Sequence, residues 1–140
     1  MPSPILVAPD ATSAFIALLV ESETDHKKVA KKYLDYRQQR ATFLTSDYVL
    51  DELFTRLLYY KLDLRKYIEK LKGSIDRGEI TVLRLDEASF EKSLEIFLKF
   101  SDQKVSFTDA TTYILYKDFN IDEVFTLDSD FKKIGVKTSF

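Results

Sequence analysis

Ser106-Phe107-Thr108-Asp109-Ala110 and, one helix later, Val124-Phe125-Thr126-Leu127-Asp128-Ser129-Asp130-Phe131 decide how this chain folds. Between the two phrases, Thr111 to Phe119 reads as an amphipathic helix. Asp109 therefore stands at a helix start, and Asp128 stands just past a short apolar strand. In an open α/β sheet, ligands bind outside the carboxyl ends of the strands, beside the helix starts. Two carboxylates there, with Asp130 close behind, suggest a site for a hard divalent cation, because Mg²⁺ and Mn²⁺ prefer oxygen ligands.

The same alternation runs upstream. Ile5-Leu6-Val7, between Pro4 and Pro9, reads as a buried strand with Asp10 at its carboxyl end. Thr12 or Ser13 can cap an apolar helix from Ala14 to about Glu21, and Thr24 or Asp25 a second helix reaching Arg37. Ala41 to Thr45 reads as a second strand. Ser46 or Asp47 then caps a helix from Tyr48 to about Tyr60, and Glu52 lies one turn in, beside the apolar stripe of Val49, Leu53 and Leu57. Leu64 to Leu71 reads as a helix stopped by Gly73. Ile80 to Leu85 is a third strand, and Asp86 caps a helix to about Phe100. Asp122 to Thr126 is a fourth strand, Phe131 to Ile134 a helical turn closed by Gly135, and Val136 to Phe140 a last edge strand. Such alternation predicts a three-layer α/β/α sandwich around a central parallel sheet. A length of 140 residues suits one domain, 1–140.

Composition narrows the function. A net charge of -2 excludes a strongly basic nucleic-acid binder, though not an enzyme that cuts nucleic acid and carries acidic metal ligands. With no cysteine and one histidine, a zinc site is not expected. None of the three glycines lies in a phosphate-binding loop, which argues against Rossmann or Walker nucleotide binding. The start lacks a signal peptide's basic residues, and Ala14 to Val20 is too short to span a bilayer, so a cytoplasmic protein with no membrane attachment is expected.

Asp10, Glu52, Asp109 and Asp128 fall at one edge of the expected sheet. Carboxylates sharing a pocket repel one another and raise each other's pKa. A bound cation relieves that repulsion, can bind a phosphodiester and can acidify a water. Each acid also has an ordinary role. Ser106-x-x-Asp109 matches a capping box, Asp128 suits a local turn, and Asp10 suits a cap. Glu52 can pair with Arg56 at i,i+4 for a few tenths of a kcal/mol. Four ordinary roles meeting at one sheet edge is the less economical account.

Thr45-Ser46-x-x-Val49-x-x-Glu52, Ser106-Phe107-Thr108-Asp109-Ala110 and Val124-Phe125-Thr126-x-Asp128-x-Asp130-Phe131-x-x-x-Gly135 together resemble the PIN-domain family, and within it the VapC-like toxin ribonucleases. Ser13-Ala14-Phe15-Ile16-Ala17-Leu18 and the Asp25-His26 pair resemble the same subgroup. The resemblance implies Mg²⁺- or Mn²⁺-dependent cleavage of RNA, with a small antitoxin protein holding the enzyme inactive. It maps the family's acids onto Glu52, Asp109 and Asp128, with Asp130 as a frequent further member. It also makes Thr126 and Ser13 supporting hydroxyls. At the first acid the chain departs from the pattern. The family's strand runs into Asp directly before the helix phrase, which puts Ala11 where Asp is expected and Asp10 one residue early. Either Asp10 still reaches the site from a strand one residue longer, or position 11 has lost its acid and the chain is a weakened, binding-only version. The aromatic density of Tyr48, Phe54, Tyr59 and Tyr60 suggests an apolar face for a homodimer or an antitoxin helix. A response-regulator receiver also uses acids at strand ends, but it needs an acidic pair after the first strand, and Asp10 stands alone.

Overall fold

Strands and helices alternate along the chain because apolar runs of period two alternate with stripes of period 3.6. The computed structural model describes residues 4–7, 14–60 and 63–140. In chain order the elements are β1 (Pro4–Val7), α1 (Ala14–Leu19), α2 (His26–Gln38), β2 (Thr42–Ser46), α3 (Asp47–Leu57) and α4 (Leu64–Asp76). They continue with β3 (Ile80–Leu83), α5 (Glu87–Lys99), a 3-10 turn (Ser101–Gln103), α6 (Phe107–Asp118), β4 (Glu123–Phe125) and α7 (Asp130–Lys133).

The four strands form one parallel sheet in the order β3-β2-β1-β4. From β1 the chain winds outward through β2 to β3, then returns to place β4 on the other side of β1. The carboxyl ends of β1 and β4 therefore flank the topological switch point, the place where such sheets open a crevice for ligands. Leu6 pairs with Val124 and Val7 with Phe125 there.

Alternate residues of each strand feed two cores. Ile5, Phe43, Ile80 and Phe125 join Ile16, Val29, Leu53 and Leu71 on one side. Leu44, Val124 and Leu83 join Leu115, Phe131 and Ile134 on the other. Helices thus cover both faces, and the molecule is an α/β/α sandwich. Phe125 is the aromatic centre of the first core, with ring centroids 6.0 Å from Tyr36, 6.3 Å from Phe43 and 5.4 Å from Phe140.

Capping follows the sequence in most places. The Ser46 hydroxyl accepts from Val49 N at 3.1 Å, and Asp86 Oδ1 accepts from Ser89 N at 2.8 Å. Asp25 holds the cap position of α2, but its side chain makes no cap hydrogen bond. Instead His26 Nδ1 lies 2.7 Å from the carbonyl oxygen of Ala17, tying α2 to α1.

Two expectations fail. Gly73 does not end α4, which runs on to Asp76 and closes at Gly78, where φ is 75°. Leu71 and Ile75 continue the apolar stripe, so packing carries the helix through one glycine at a cost of about 1 kcal/mol. Val136 to Phe140 is no edge strand either. It makes a single parallel bridge, Val124 to Thr138, because the three-residue β4 offers little more to pair with. Side chains add to the bridge's two backbone bonds, from Val124 N to Lys137 O at 2.8 Å and from Ser139 N to Val124 O at 3.0 Å: the Glu123 carboxylate accepts from the Tyr36 hydroxyl and from Ser139 Oγ at 2.9 Å, with Lys137 Nζ at 3.6 Å.

Candidate functional site

The start of α6 is held by aromatic rings. Phe107 lies 5.9 Å from Tyr48 at the start of α3, and 5.3 Å and 5.9 Å from Phe90 and Phe97 of α5. The start of α3 is pinned in turn by Asp47, whose carboxylate accepts from Tyr48 N at 3.0 Å and from Leu85 N at 3.2 Å. These contacts set the first turns of α3 and α6 side by side. Asp109 is carried by that turn of α6, and Glu52 by the next turn of α3.

Asp109 is the third helical residue of α6 and completes a capping box. Its backbone N donates to Ser106 Oγ at 3.0 Å, and its Oδ2 accepts from Ser106 N at 3.4 Å. The cap does not use up its charge. Burial pushes the Asp109 carboxyl up to about 6, the Ser106 bonds pull the other way, and the negative charges of Glu52 and Asp128 push it up further. Three of the acids singled out in the sequence therefore feel one another.

Asp128 follows β4 in a tight turn. Its N donates to the buried Thr126 hydroxyl at 3.0 Å, and its Oδ1 accepts from Asp130 N at 2.9 Å, which leaves Oδ2 without a bond among the described residues. Asp130 opens α7, and its carboxylate pairs with Lys133 at 3.0 Å instead of turning to the other acids. Glu52 accepts two bonds from Arg56 on Oε1, from Nη2 at 2.8 Å and Nε at 3.3 Å. Asp10, Ala11, Thr12 and Ser13 lie outside the described residues. All three ordinary roles that can be inspected, cap, turn and i,i+4 pair, are present, and the repulsion at Asp109 exists on top of them.

Among the described residues, no group of three or more acids or histidines converges on one point that could hold a metal ion. That still suits Mg²⁺, which is commonly held by one or two carboxylates with the rest of its octahedron filled by water and substrate oxygens. The donor set is all oxygen, as a hard cation requires. The Thr112 hydroxyl, one turn beyond Asp109, is buried with no hydrogen-bond partner among the described residues, so one more oxygen awaits a partner. Sequence reading passed over Thr112. The signal was its i,i+3 spacing from Asp109 on a helix whose other buried positions are mostly apolar.

Glu52 supplies a control. Its pair with Arg56 is partly exposed, with side chains 27% and 29% accessible. Glu52→Gln should move stability by less than about 0.5 kcal/mol while reducing any metal-dependent cleavage. A thermal melt beside an activity assay checks the split.

A sequence model of the PIN domain matches residues 12–137. A VapC ribonuclease of Archaeoglobus fulgidus is 28% identical over 87 residues, covering 61% of this chain and 53% of that protein, so the chain spans about half the length of that relative. The crystal structure of Mycobacterium tuberculosis VapC20, described as a sarcin-ricin loop cleaving toxin, superposes with a TM-score of 0.77 at 21% identity, covering 96% of each chain. At that identity the likeness is one of fold. No helix among the described residues is long and apolar enough to cross a membrane.

Proposed function

The chain belongs to the PIN-domain family, and from that premise we propose that it is a single-domain, metal-dependent endoribonuclease, the toxin of a toxin–antitoxin pair. The observation that carries the reading is the half-buried Asp109 carboxyl beside the switch point of a parallel sheet, pushed up by burial first and then by the charges of Glu52 and Asp128. Asp109 and Asp128 would hold Mg²⁺ or Mn²⁺, with Asp10 as the expected third ligand and Asp130 as a further member once released from Lys133. When bound, the cation supplies charge to a phosphodiester oxygen and acidifies a water. Glu52 keeps Oε2 free of Arg56 and with it orients or deprotonates the attacking water. Thr126 Oγ1 holds the Asp128 backbone N, Asp130 N donates to the Asp128 carboxylate, and Ser106 N donates to that of Asp109. Ser13 supports the first acid.

A cytoplasmic location and control by a cognate antitoxin complete the reading. Phe54 and Leu58, 37% and 65% exposed on the end of α3, offer apolar area for the antitoxin or for a second copy of the chain. The second reading, a binding module with weakened or no catalysis, is favoured by Ala11 alone.

One experiment separates the two. The protein and its Ala11→Asp variant are incubated with a pool of structured RNAs, and the new ends are sequenced. Cleavage by the wild-type protein in Mg²⁺ or Mn²⁺, with none in excess chelator and little in Zn²⁺, is the expected result. Full cleavage in chelator overturns the metal requirement. A silent wild-type protein beside an active Ala11→Asp variant supports the binding module.

A further inference from the structure

The chain carries -2 overall, yet residues 56–72 hold Arg56, Lys61, Arg65, Lys66, Lys70 and Lys72 against only Asp63 and Glu69, a local net charge of +4. On α4 the buried Tyr67 and Leu71 fix which way the helix lies, and Arg65, Lys66, Lys70 and Lys72 are exposed on the opposite arc. None of these four joins an ion pair among the described residues. Unpaired surface cations on one arc are a seat for a polyanion, since neutralising phosphates there releases counterions.

Upstream of α4, on α3, a further cation reaches one of the acids. Arg56 is bonded to Glu52, and those two bonds use two of its five N–H donors. With Tyr59, Tyr60 and Ile16 it lines an open pocket of about 280 Å³, room for one planar base. Tyr60 is committed there, its hydroxyl hydrogen-bonded to Glu23. Tyr59 is 84% exposed, and an aromatic face in water beside a cation is the usual stacking platform for an unpaired base.

We propose that Arg56, Tyr59 and the exposed arc of α4 from Arg65 to Lys72 form a track for single-stranded RNA, gripping its phosphates and stacking one base on Tyr59 beside Arg56. The proposal takes its ligand from the ribonuclease reading. It also answers a difficulty in that reading, because a net-negative protein with a cluster of acids repels RNA unless a separate surface holds it. An apolar helix suits the arc poorly, since its exposed residues are charged.

The test is fluorescence anisotropy with a short single-stranded RNA, in chelator so that no cleavage occurs, across about 50 to 300 mM salt. The variants are Tyr59→Ala, the triple Arg65→Gln/Lys66→Gln/Lys70→Gln, and Lys27→Gln/Lys31→Gln on the competing basic face of α2. Glutamine keeps helix propensity, and circular dichroism melts confirm folding. At about 0.7 of slope per phosphate on a single strand, the triple variant should flatten the log–log salt dependence by about two and weaken low-salt binding tenfold or more. Tyr59→Ala should weaken binding roughly fivefold to a hundredfold with the slope unchanged, and the α2 variant should bind as wild type does. Unchanged affinity and slope in the triple variant, or an equal loss in the α2 variant, overturns the track. Competition by polyglutamate as strong as by RNA, with Tyr59→Ala silent, makes the arc a seat for an acidic peptide and overturns the assignment to RNA. The same variants assayed with Mn²⁺ keep the two ideas apart. RNA cut by a protein whose arc variants bind normally sinks the track alone, whereas RNA bound through the arc but never cut sinks the ribonuclease reading alone.

Discussion

Asp109→Asn should melt several degrees above the wild-type protein at pH 7.5 and lose cleavage on the order of a hundredfold or more, the scale of removing one preorganised electrostatic group. The thermal half follows from linkage. Asp109 has a folded carboxyl raised to about 6 from an ordinary 3.8, so between those values the folded state binds a proton that the unfolded state releases. Its contribution to stability falls as pH rises through that window, and the penalty is fully present above about pH 6. Two pKa units correspond to roughly 3 kcal/mol. The variant also gives up a charge at a helix N-terminus, worth up to about 1 kcal/mol. Asparagine keeps an oxygen to accept from Ser106 N, so the cap survives. A net gain of about 1 to 2 kcal/mol is roughly 3 to 6 °C for a chain of this size. The difference between variant and wild type should vanish below about pH 4, where both side chains are neutral. Melts from pH 3.5 to 8 read it directly. A variant that melts several degrees lower at every pH shows that Asp109 is chiefly a cap.

The second large effect is on the fold. Phe125→Ala should cost about 4 kcal/mol, within the range for deleting a buried aromatic ring, and lower the melting temperature by roughly 10 to 15 °C. Phe125 is fully buried and touches Tyr36, Phe43 and Phe140. Those rings come from α2, β2 and the end of the chain, so no single neighbour can move in to fill the space. Phe125→Leu should recover more than half of the loss. An alanine variant that melts within 3 °C of wild type would mean that the cavity collapses and that this core is more plastic than its packing suggests.

How far the residues announced this arrangement depends on what each element relies on. The strands and α5 were legible because their apolar patterns and the caps Ser46, Asp86 and Ser106 point the same way. Gly73 misled because a helix end read from one glycine ignores Ile75, four residues beyond Leu71, which gains more by packing than the glycine loses. Val136 to Phe140 misled because its composition suits a strand, whereas pairing depends on the length of its neighbour β4. At the site, the repulsion that Glu52 and Asp128 exert on Asp109 was legible, since strand ends and helix starts share one sheet edge. Their local bonds to Arg56, Ser106 and Asp130 were legible as well. The buried Thr112 hydroxyl was not, because its i,i+3 spacing from Asp109 is equally that of a threonine facing only a core. Arg56 was visible only as a partner for Glu52. Its place in one pocket with Tyr59 and Tyr60 depends on how α1 packs on α3.

The pairing of β1 with β4 has a consequence for the order in which the molecule comes into being. Leu6 and Val124 are neighbours in the sheet but lie near opposite ends of the chain. A ribosome finishes β1 first among these strands and β4 last, so the sheet stays one strand short until Phe125 has been added. Asp128 leaves the exit tunnel later still. A nascent chain therefore carries Glu52 and Asp109 without their third charge, and a translation product cut short before β4 has no switch point at all. If the molecule cuts RNA, the synthesis of everything up to β4 is sheltered by topology, and the hazard begins only once β4 has left the tunnel and paired with β1.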